Sequence, residues 1–384
     1  MNSETRQVKV TLLLVSSLTI MSMITISASL PDMTDTFSDV SYGPELVKLS
    51  LSFPALFIAL TAIITGRFID RFGRLRLLGV ALILYALGGT SGYWLDSIYL
   101  ILAGRALLGV CVGISMTIVT TLIADYYQGQ ARQKFAGLQI AVMSIAGIIF
   151  VTLGGFLADV DWRVPFLLYF ISLLILPFTY MFLKEPKLHL ETAKPLTKIQ
   201  SPKLIWFVFI NVMLMWILFF IIPVQLPFYL KQIGIEKNAM IGIAVASSTF
   251  FSAISAFSYS KIKDRLNFKQ VFILGYFLMA LAYVCLAIIP SFLMVMVGML
   301  FAGLGMGLLI PNANVWVMQL APVEIRGKEI GRLTTFWFIG QFLSPILILP
   351  FLKIMTQSQL FYAVAGILAI MIMLFFFLNK RLIP

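Results

Sequence analysis

The stretch Gly66-Arg67-Phe68-Ile69-Asp70-Arg71-Phe72-Gly73-Arg74-Leu75-Arg76 sets four arginines and an aspartate between two apolar runs, 49–65 and 77–94. Its chemistry is electrostatic. Asp70 can cap the helix that follows, or pair with Arg71 or Arg74. Gly66 would let two helix ends approach closely, and Gly73 can take the left-handed backbone of a tight turn. A basic cytoplasmic loop accounts for the arginines, but not for the aspartate or the glycines.

Arg105 is the second charge that needs a reason. It lies in the apolar run 98–124, with no acid in 100–124 to pair with. A lone charge inside a membrane span is costly and usually faces a partner or a cavity. Its rival reading is snorkelling toward the outer interface, because Arg105 is only about two turns into the helix. The carboxylates closest to spans lie at their ends. Asp32 follows Pro31, which is expected to end the first span on the outer side; it is either a proton or cation site or a plain interfacial acid. Asp125 closes the fourth span, with Arg132 and Lys134 just beyond. No carboxylate falls in the middle of a span.

The polar residues in the later spans are candidates for a substrate cavity: Asn211, Trp216 and Gln225, then Asn312, Asn314 and Trp316, then Gln341 near Trp337. Pro223 and Pro227 in the seventh span predict a kink or partial break, of the kind found at cavities. Helix–helix hydrogen bonds are the competing explanation for these polar groups. The same ambiguity holds for Ser16, Ser17, Thr19, Ser22, Thr25, Ser27 and Ser29 in the first span, which suit either packing or a wet wall.

The elements that must carry these residues follow from composition. Of 384 residues, 60% are hydrophobic and 11% charged. A spanning helix takes about 20 apolar residues. Twelve runs qualify: about 10–30, 45–66, 77–94, 98–124, 135–157, 164–183, 203–229, 239–260, 270–289, 292–320, 333–350 and 358–379. None alternates strictly, so helices fit better than a barrel. The net charge of +12 suggests nucleic acid only until it is mapped. Most Lys and Arg, among them Arg6, Lys9, the arginines of 67–76, Arg132, Lys134, Lys203, Lys261, Lys263, Arg326 and Lys328, share one side of the membrane. Lys48, Arg163, Lys231, Lys237 and Lys353 fall on the other. The positive-inside rule then puts both termini in the cytoplasm, so the charge reports topology and implies no nucleic-acid partner.

Other classes find little support. Cys111 and Cys285 sit in separate spans and imply neither a disulfide framework nor a metal site. His189 is alone in a polar loop. No nucleotide-cradling Gly-x-x-x-x-Gly-Lys-Ser/Thr loop, metal-ligand cluster or nucleophile–base pair is present, so no cofactor, metal or enzymatic activity is expected. Ser27-Ala28-Ser29 looks like a signal cleavage site, but the apolar stretch before it is too long for a signal core and no cleavage is expected.

A shift of 194 residues carries Asp70-Arg71 onto Asp264-Arg265, Gly104, Gly109 and Gly113 onto Gly298, Gly303 and Gly307, and Arg132 and Gly137 onto Arg326 and Gly331. One offset across three separated regions predicts an internal repeat of six helices. The expected units are 1–183, a Pro-bearing basic linker at 184–203, and 204–384. The second copy of the charged stretch is degenerate: Ser260, Asn267 and Phe268 stand where the first has Gly66, Gly73 and Arg74.

The order Gly-x-aromatic-Ile-Asp-Arg-x-Gly-Arg-x-Arg resembles the signature loop between the second and third helices of the major facilitator superfamily, with Asp70, Arg71, Gly73 and Arg74 all matching. Leu75 replaces a second basic residue, which Arg76 supplies one place later. Arg105 and Gly109 resemble that family's fourth-helix pattern, although its usual Gln is Leu108. Only Gly154-Gly155 remain of the antiporter signature, with Phe150-Val151 where Gly-Pro would stand. Asp161-Trp162-Arg163-Val164-Pro165-Phe166 resembles the fifth–sixth helix junction of drug–proton exporters.

This resemblance implies an all-α, twelve-helix fold in two halves, with spans 1, 4, 7 and 10 lining a central cavity. It also implies a latch between Asp125 and the charged stretch near Arg74, and a part for Arg105 in proton transfer. The expected function is proton-coupled export of small amphipathic compounds, drugs or metabolites from a bacterial cytoplasmic membrane. The expected partners are a small-molecule substrate, protons and lipid, and the chain is expected to act as a monomer. Uptake or facilitated diffusion of an anionic or neutral metabolite is the alternative, since the one intramembrane charge is positive; a membrane enzyme or receptor is the remote one.

Overall fold

The computed structural model describes residues 6–185 and 200–377. In hydrocarbon every backbone N–H and C=O must be satisfied within the segment, which leaves apolar runs of this length only the helix. Among the described residues, twelve helices are long and apolar enough to cross a membrane. The chain divides into two compact units, Met1–Gln200 and Ser201–Pro384. Most of the linker expected at 184–203, including His189, lies outside the described residues.

The first unit contains α1 (Arg6–Ile24), a 3₁₀ turn (Ser27–Ser29), α2 (Leu30–Thr36), α3 (Gly43–Phe72), α4 (Arg74–Gly89), α5 (Ser91–Trp94), α6 (Ile98–Tyr126), α7 (Gly129–Ala158), a second 3₁₀ segment (Val164–Phe170) and α8 (Ile171–Phe182). The second contains α9 (Lys203–Gln232), α10 (Asn238–Lys263), α11 (Phe268–Ile288), α12 (Phe292–Leu320), α13 (Arg326–Leu352) and α14 (Gln357–Phe377). In the first, α6 packs on α3 and α4, α1 on α7, and α4 on α8. In the second, α12 packs on α10 and α11, α9 on α13, and α11 on α14.

The shift of 194 therefore holds for whole elements. It carries α6 onto α12 end for end, and the first residue of α4 onto that of α11. It also holds for individual contacts. A Cβ added at Gly109 would lie 2.8 Å from Pro54 Cα and 2.9 Å from Phe57 Cβ; one at Gly303 would lie 2.8 Å from Phe251 Cβ and against the carbonyl of Ser248. The residues met in the second unit are those met in the first, moved by the same shift. In both units these glycines bring two helix backbones into direct contact.

Four expectations change in detail. Pro31 does not end the first span: it sits in the first turn of α2 after a break at residues 25–29, a position where its missing N–H is not needed. Helix α3 runs on to Phe72, so Gly66–Phe72 is helix and Gly73 alone separates α3 from α4. A helix of 30 residues is about 45 Å long, more than the hydrocarbon core, so its charged end projects from the membrane while staying helical. Helix α9 is unbroken through Pro223 and Pro227. Helices α7 and α13 begin at Gly129 and Arg326, earlier than the apolar runs at 135 and 333, because hydrated polar turns extend them.

Candidate functional site

At the end of the first unit that carries the charged stretch, one arginine joins three helices. The Arg74 guanidinium lies 3.1 Å from Asp125 at the end of α6 and 3.7 Å from Glu185, just past α8. Glu185 also accepts hydrogen bonds from the backbone N–H groups of Arg74 and Leu75, both at 2.8 Å. The first turn of α4 needs this, because Gly73 at its start has no side chain to cap it. A carboxylate at that position is also favoured by the helix dipole. Next to Asp125, the Tyr126 hydroxyl donates to the carbonyl of Lys184 and accepts from its N–H at 3.0 Å, which fixes the segment bearing Glu185. Arg74 is 13% exposed and Asp125 30%, so the pair is shielded but reachable.

The other motif residues are placed differently. Gly73 has φ +81° and ψ 159°, a positive-φ extended backbone rather than the left-handed helical one expected, and open essentially to glycine alone. At Gly66 an added Cβ would meet nothing within 4 Å, so the expected close approach of helix ends is not found there. The side chains of Asp70 and Arg71 lie outside the described residues; their backbone forms the end of α3. Glu185 caps the start of α4 through the N–H groups of Arg74 and Leu75. Arg132 is exposed on the first turns of α7. Sequence reading missed Glu185, whose one signal is an acid closing the sixth span before the Pro-bearing linker.

Arg105 does not snorkel. Its side chain is fully buried (0% exposed) and ties three elements to α6. Nε donates to the Ser50 carbonyl on α3 at 2.9 Å, one Nη to the Ser22 carbonyl on α1 at 2.7 Å, and the other to the Tyr169 hydroxyl at 2.8 Å. Tyr169 in turn packs 5.9 Å from Tyr85, whose hydroxyl donates to the Leu18 carbonyl at 2.8 Å. The fork geometry of arginine suits three divergent acceptors. All three are neutral, so the positive charge is solvated by dipoles and not cancelled. Ser22 is where α1 nears its break, so Arg105 also holds the broken span in place. Asp32 is half-buried on α2, and Arg163 anchors the 3₁₀ junction by pairing with Asp96 at 2.7 Å.

The cavity candidates of the second unit fall into two groups. Asn211 accepts from the Tyr276 hydroxyl at 3.0 Å. Asn312 accepts from Tyr259 at 3.2 Å and donates to the Phe268 carbonyl at 3.0 Å. Asn314 donates back to Ile310 within its own helix at 3.1 Å. Trp316 is fully buried and stacked on Phe268, centroids 5.6 Å apart. For Asn312, bonded through both polar atoms, the structure favours the packing explanation. Trp216, Gln225 and Gln341 each bury polar atoms that find no partner, as do Trp316 Nε1 and Asn211 Nδ2.

Sequence reading also missed Glu329. It is a fully buried carboxylate on the first turn of α13, bonded through one oxygen to Arg332 at 3.0 Å and to the Ser201 hydroxyl at 2.9 Å. Glu329 fixes the start of α13 to Ser201, two residues before α9.

Twelve spans in two repeated halves, with charged clamps at their ends, define a polytopic membrane transporter. Residues 12–240 and 237–383 match the profile of the Major Facilitator Superfamily, and the chain belongs to that family. Among characterised relatives, the bacillibactin exporter of Bacillus subtilis is 27% identical over 343 residues, covering 82% of each chain. The multi-drug resistance efflux pump PmrA of Streptococcus pneumoniae is 25% identical over 346 residues, 84% of each. Multidrug resistance protein 2 of Bacillus subtilis is 24% identical over 75% of each. The fold matches the crystal structure of a D-xylose–proton symporter, with TM-score 0.79, 17% identity and 98% of both chains covered. It also matches a bacterial homologue of the human lysosomal transporter Spinster, with TM-score 0.76, 14% identity and coverage of 100% and 98%.

Proposed function

We propose that this transporter exports small amphipathic compounds, drugs or metabolites across a bacterial cytoplasmic membrane, driven by inward proton flow. The observation that carries the reading is its likeness, over four-fifths of both chains, to relatives named as exporters of bacillibactin and of multiple drugs. Both termini face the cytoplasm in this reading, which puts the Arg74–Asp125–Glu185 cluster on the cytoplasmic side. There the cluster serves as a latch: it is shielded enough to hold α4, α6 and α8 together, and hydrated enough to open and re-form as the halves rock. Arg105 keeps a fixed positive charge within the first half, next to the break in the first span, where it biases the site toward anionic or zwitterionic cargo.

The departure of Phe150-Val151 from the antiporter signature favours a second reading, uptake or facilitated diffusion of an anionic or neutral metabolite. Everted vesicles separate the two. With an acidic interior and a pH-reporting dye, an exported compound added outside should discharge the proton gradient only in vesicles containing the protein. Labelled compounds that equilibrate without moving protons would rule out antiport.

A further inference from the structure

Helices α9 and α13 cross in direct contact. A Cβ at Gly340 would lie 2.9 Å from Trp216 Cβ, and one turn on the Ser344 hydroxyl donates to the Ile217 carbonyl at 2.7 Å. Two indoles sit on this fixed crossing. The rings of Trp216 and Trp337 are 5.8 Å apart and tilted by 41°, with Phe219 edge-on to Trp216 at 5.7 Å. Both indole N–H groups are buried without an acceptor, and so is Oε1 of Gln341, a residue only 4% exposed and one turn beyond Trp337. A buried polar group left unpaired costs about 1–3 kcal/mol, and native structures hold few of them. Here three share one crossing, while Asn312 finds partners for both of its polar atoms inside the same half. Both indole rings remain part-exposed, so a ligand can reach their faces.

We infer that Trp216, Trp337 and Gln341 form a subsite in the second half for planar aromatic compounds that carry oxygen acceptors and an N–H or O–H donor. The inference rests on the reading of the chain as a transporter of small amphipathic molecules and names the chemistry that one wall selects. The ring packs against the indole faces, its oxygens accept from the two indole N–H groups, and its donor meets Gln341. The close helix crossing fixes the backbone that carries these groups, so binding needs only their side chains to turn toward the ligand.

The test uses the full chain in nanodiscs with 5-fluorotryptophan at its six tryptophans, the ¹⁹F resonances being assigned with Trp216→Phe and Trp337→Phe. The probe is 4-aminobenzoate, compared with cyclohexanecarboxylate, which has the carboxylate but neither the ring nor the amine. The expected result is a saturable shift of the Trp216 and Trp337 resonances with the other four unmoved, and binding about tenfold weaker for cyclohexanecarboxylate and for Gln341→Leu. Shifts spread over all six resonances, or absent from these two while vesicles still translocate other compounds, overturn the subsite and leave the transport reading standing. Saturable shifts at the two indoles in a protein that translocates nothing support the subsite and sink the transport reading instead.

Discussion

A guanidinium held only by neutral oxygens behaves differently from one held by a carboxylate. Arg105 keeps its full charge inside the first unit and spends its fork on Ser50, Ser22 and Tyr169. A lysine there would keep the charge but reach one acceptor, not three. Arg105→Lys should therefore lower the melting temperature in detergent more than Tyr169→Phe, which loses a single bond to a charged group, about 1.5–3 kcal/mol. Equal losses would mean that the carbonyl contacts carry no weight. Gly73→Ala should cost about 1–3 kcal/mol through its positive φ alone, measured as reduced resistance to thermal aggregation. Arg105 was legible in the sequence because a charge stands out in an apolar run; its partners were not, because two of the three are backbone carbonyls, which any residue provides. Glu185 was illegible for a related reason: what calls for it is the uncapped start of α4, 111 residues away in sequence.

Among the elements, the legible part was every span and the illegible part every refinement of it. Hydropathy locates helices by the surface they bury in lipid, so it found all twelve and misjudged where α3, α7 and α13 begin or end, since those turns lie in water. It also read Pro223 and Pro227 as a kink or partial break, whereas α9 stays helical through both; the break at residues 25–29 has no proline inside it. The glycine contacts give the sharpest prediction at this scale. Gly109→Ala and Gly303→Ala should each destabilise by about 1–3 kcal/mol, because the added methyl meets the facing backbone. Gly331→Ala, where a Cβ meets nothing within 4 Å, should instead stabilise α13 by up to about 1 kcal/mol. Thermal shifts of the three purified variants decide it, and losses of similar size at all three would remove the distinction between packed and open glycines.

For the whole molecule, each unit has its own packed helices and its own charged clamp, Arg74–Asp125–Glu185 in one and Arg332–Glu329 in the other. Residues 1–185 and 200–384, expressed together as separate chains, should both insert and should recover part of the transport seen with the intact protein. Recovery of neither insertion nor transport would mean that the linker does more than connect. The family was legible from one charged stretch and one offset. The substrate was not, because residue types alone do not reveal which polar groups stay unpaired once the helices have packed.

The contacts of Gly109 and Gly303 carry one more consequence. If the chain arose by duplication of a six-helix ancestor, the two copies record which demands were shared and which were not. The glycine contacts are present in both, so backbone contact between these helices is a demand the two halves share. The charged stretch survives whole in one copy and has eroded in the other to Ser260, Asn267 and Phe268. The two copies thus agree in how each half is packed and differ in the charged stretch, and relaxed variation would be sought first around Asn267.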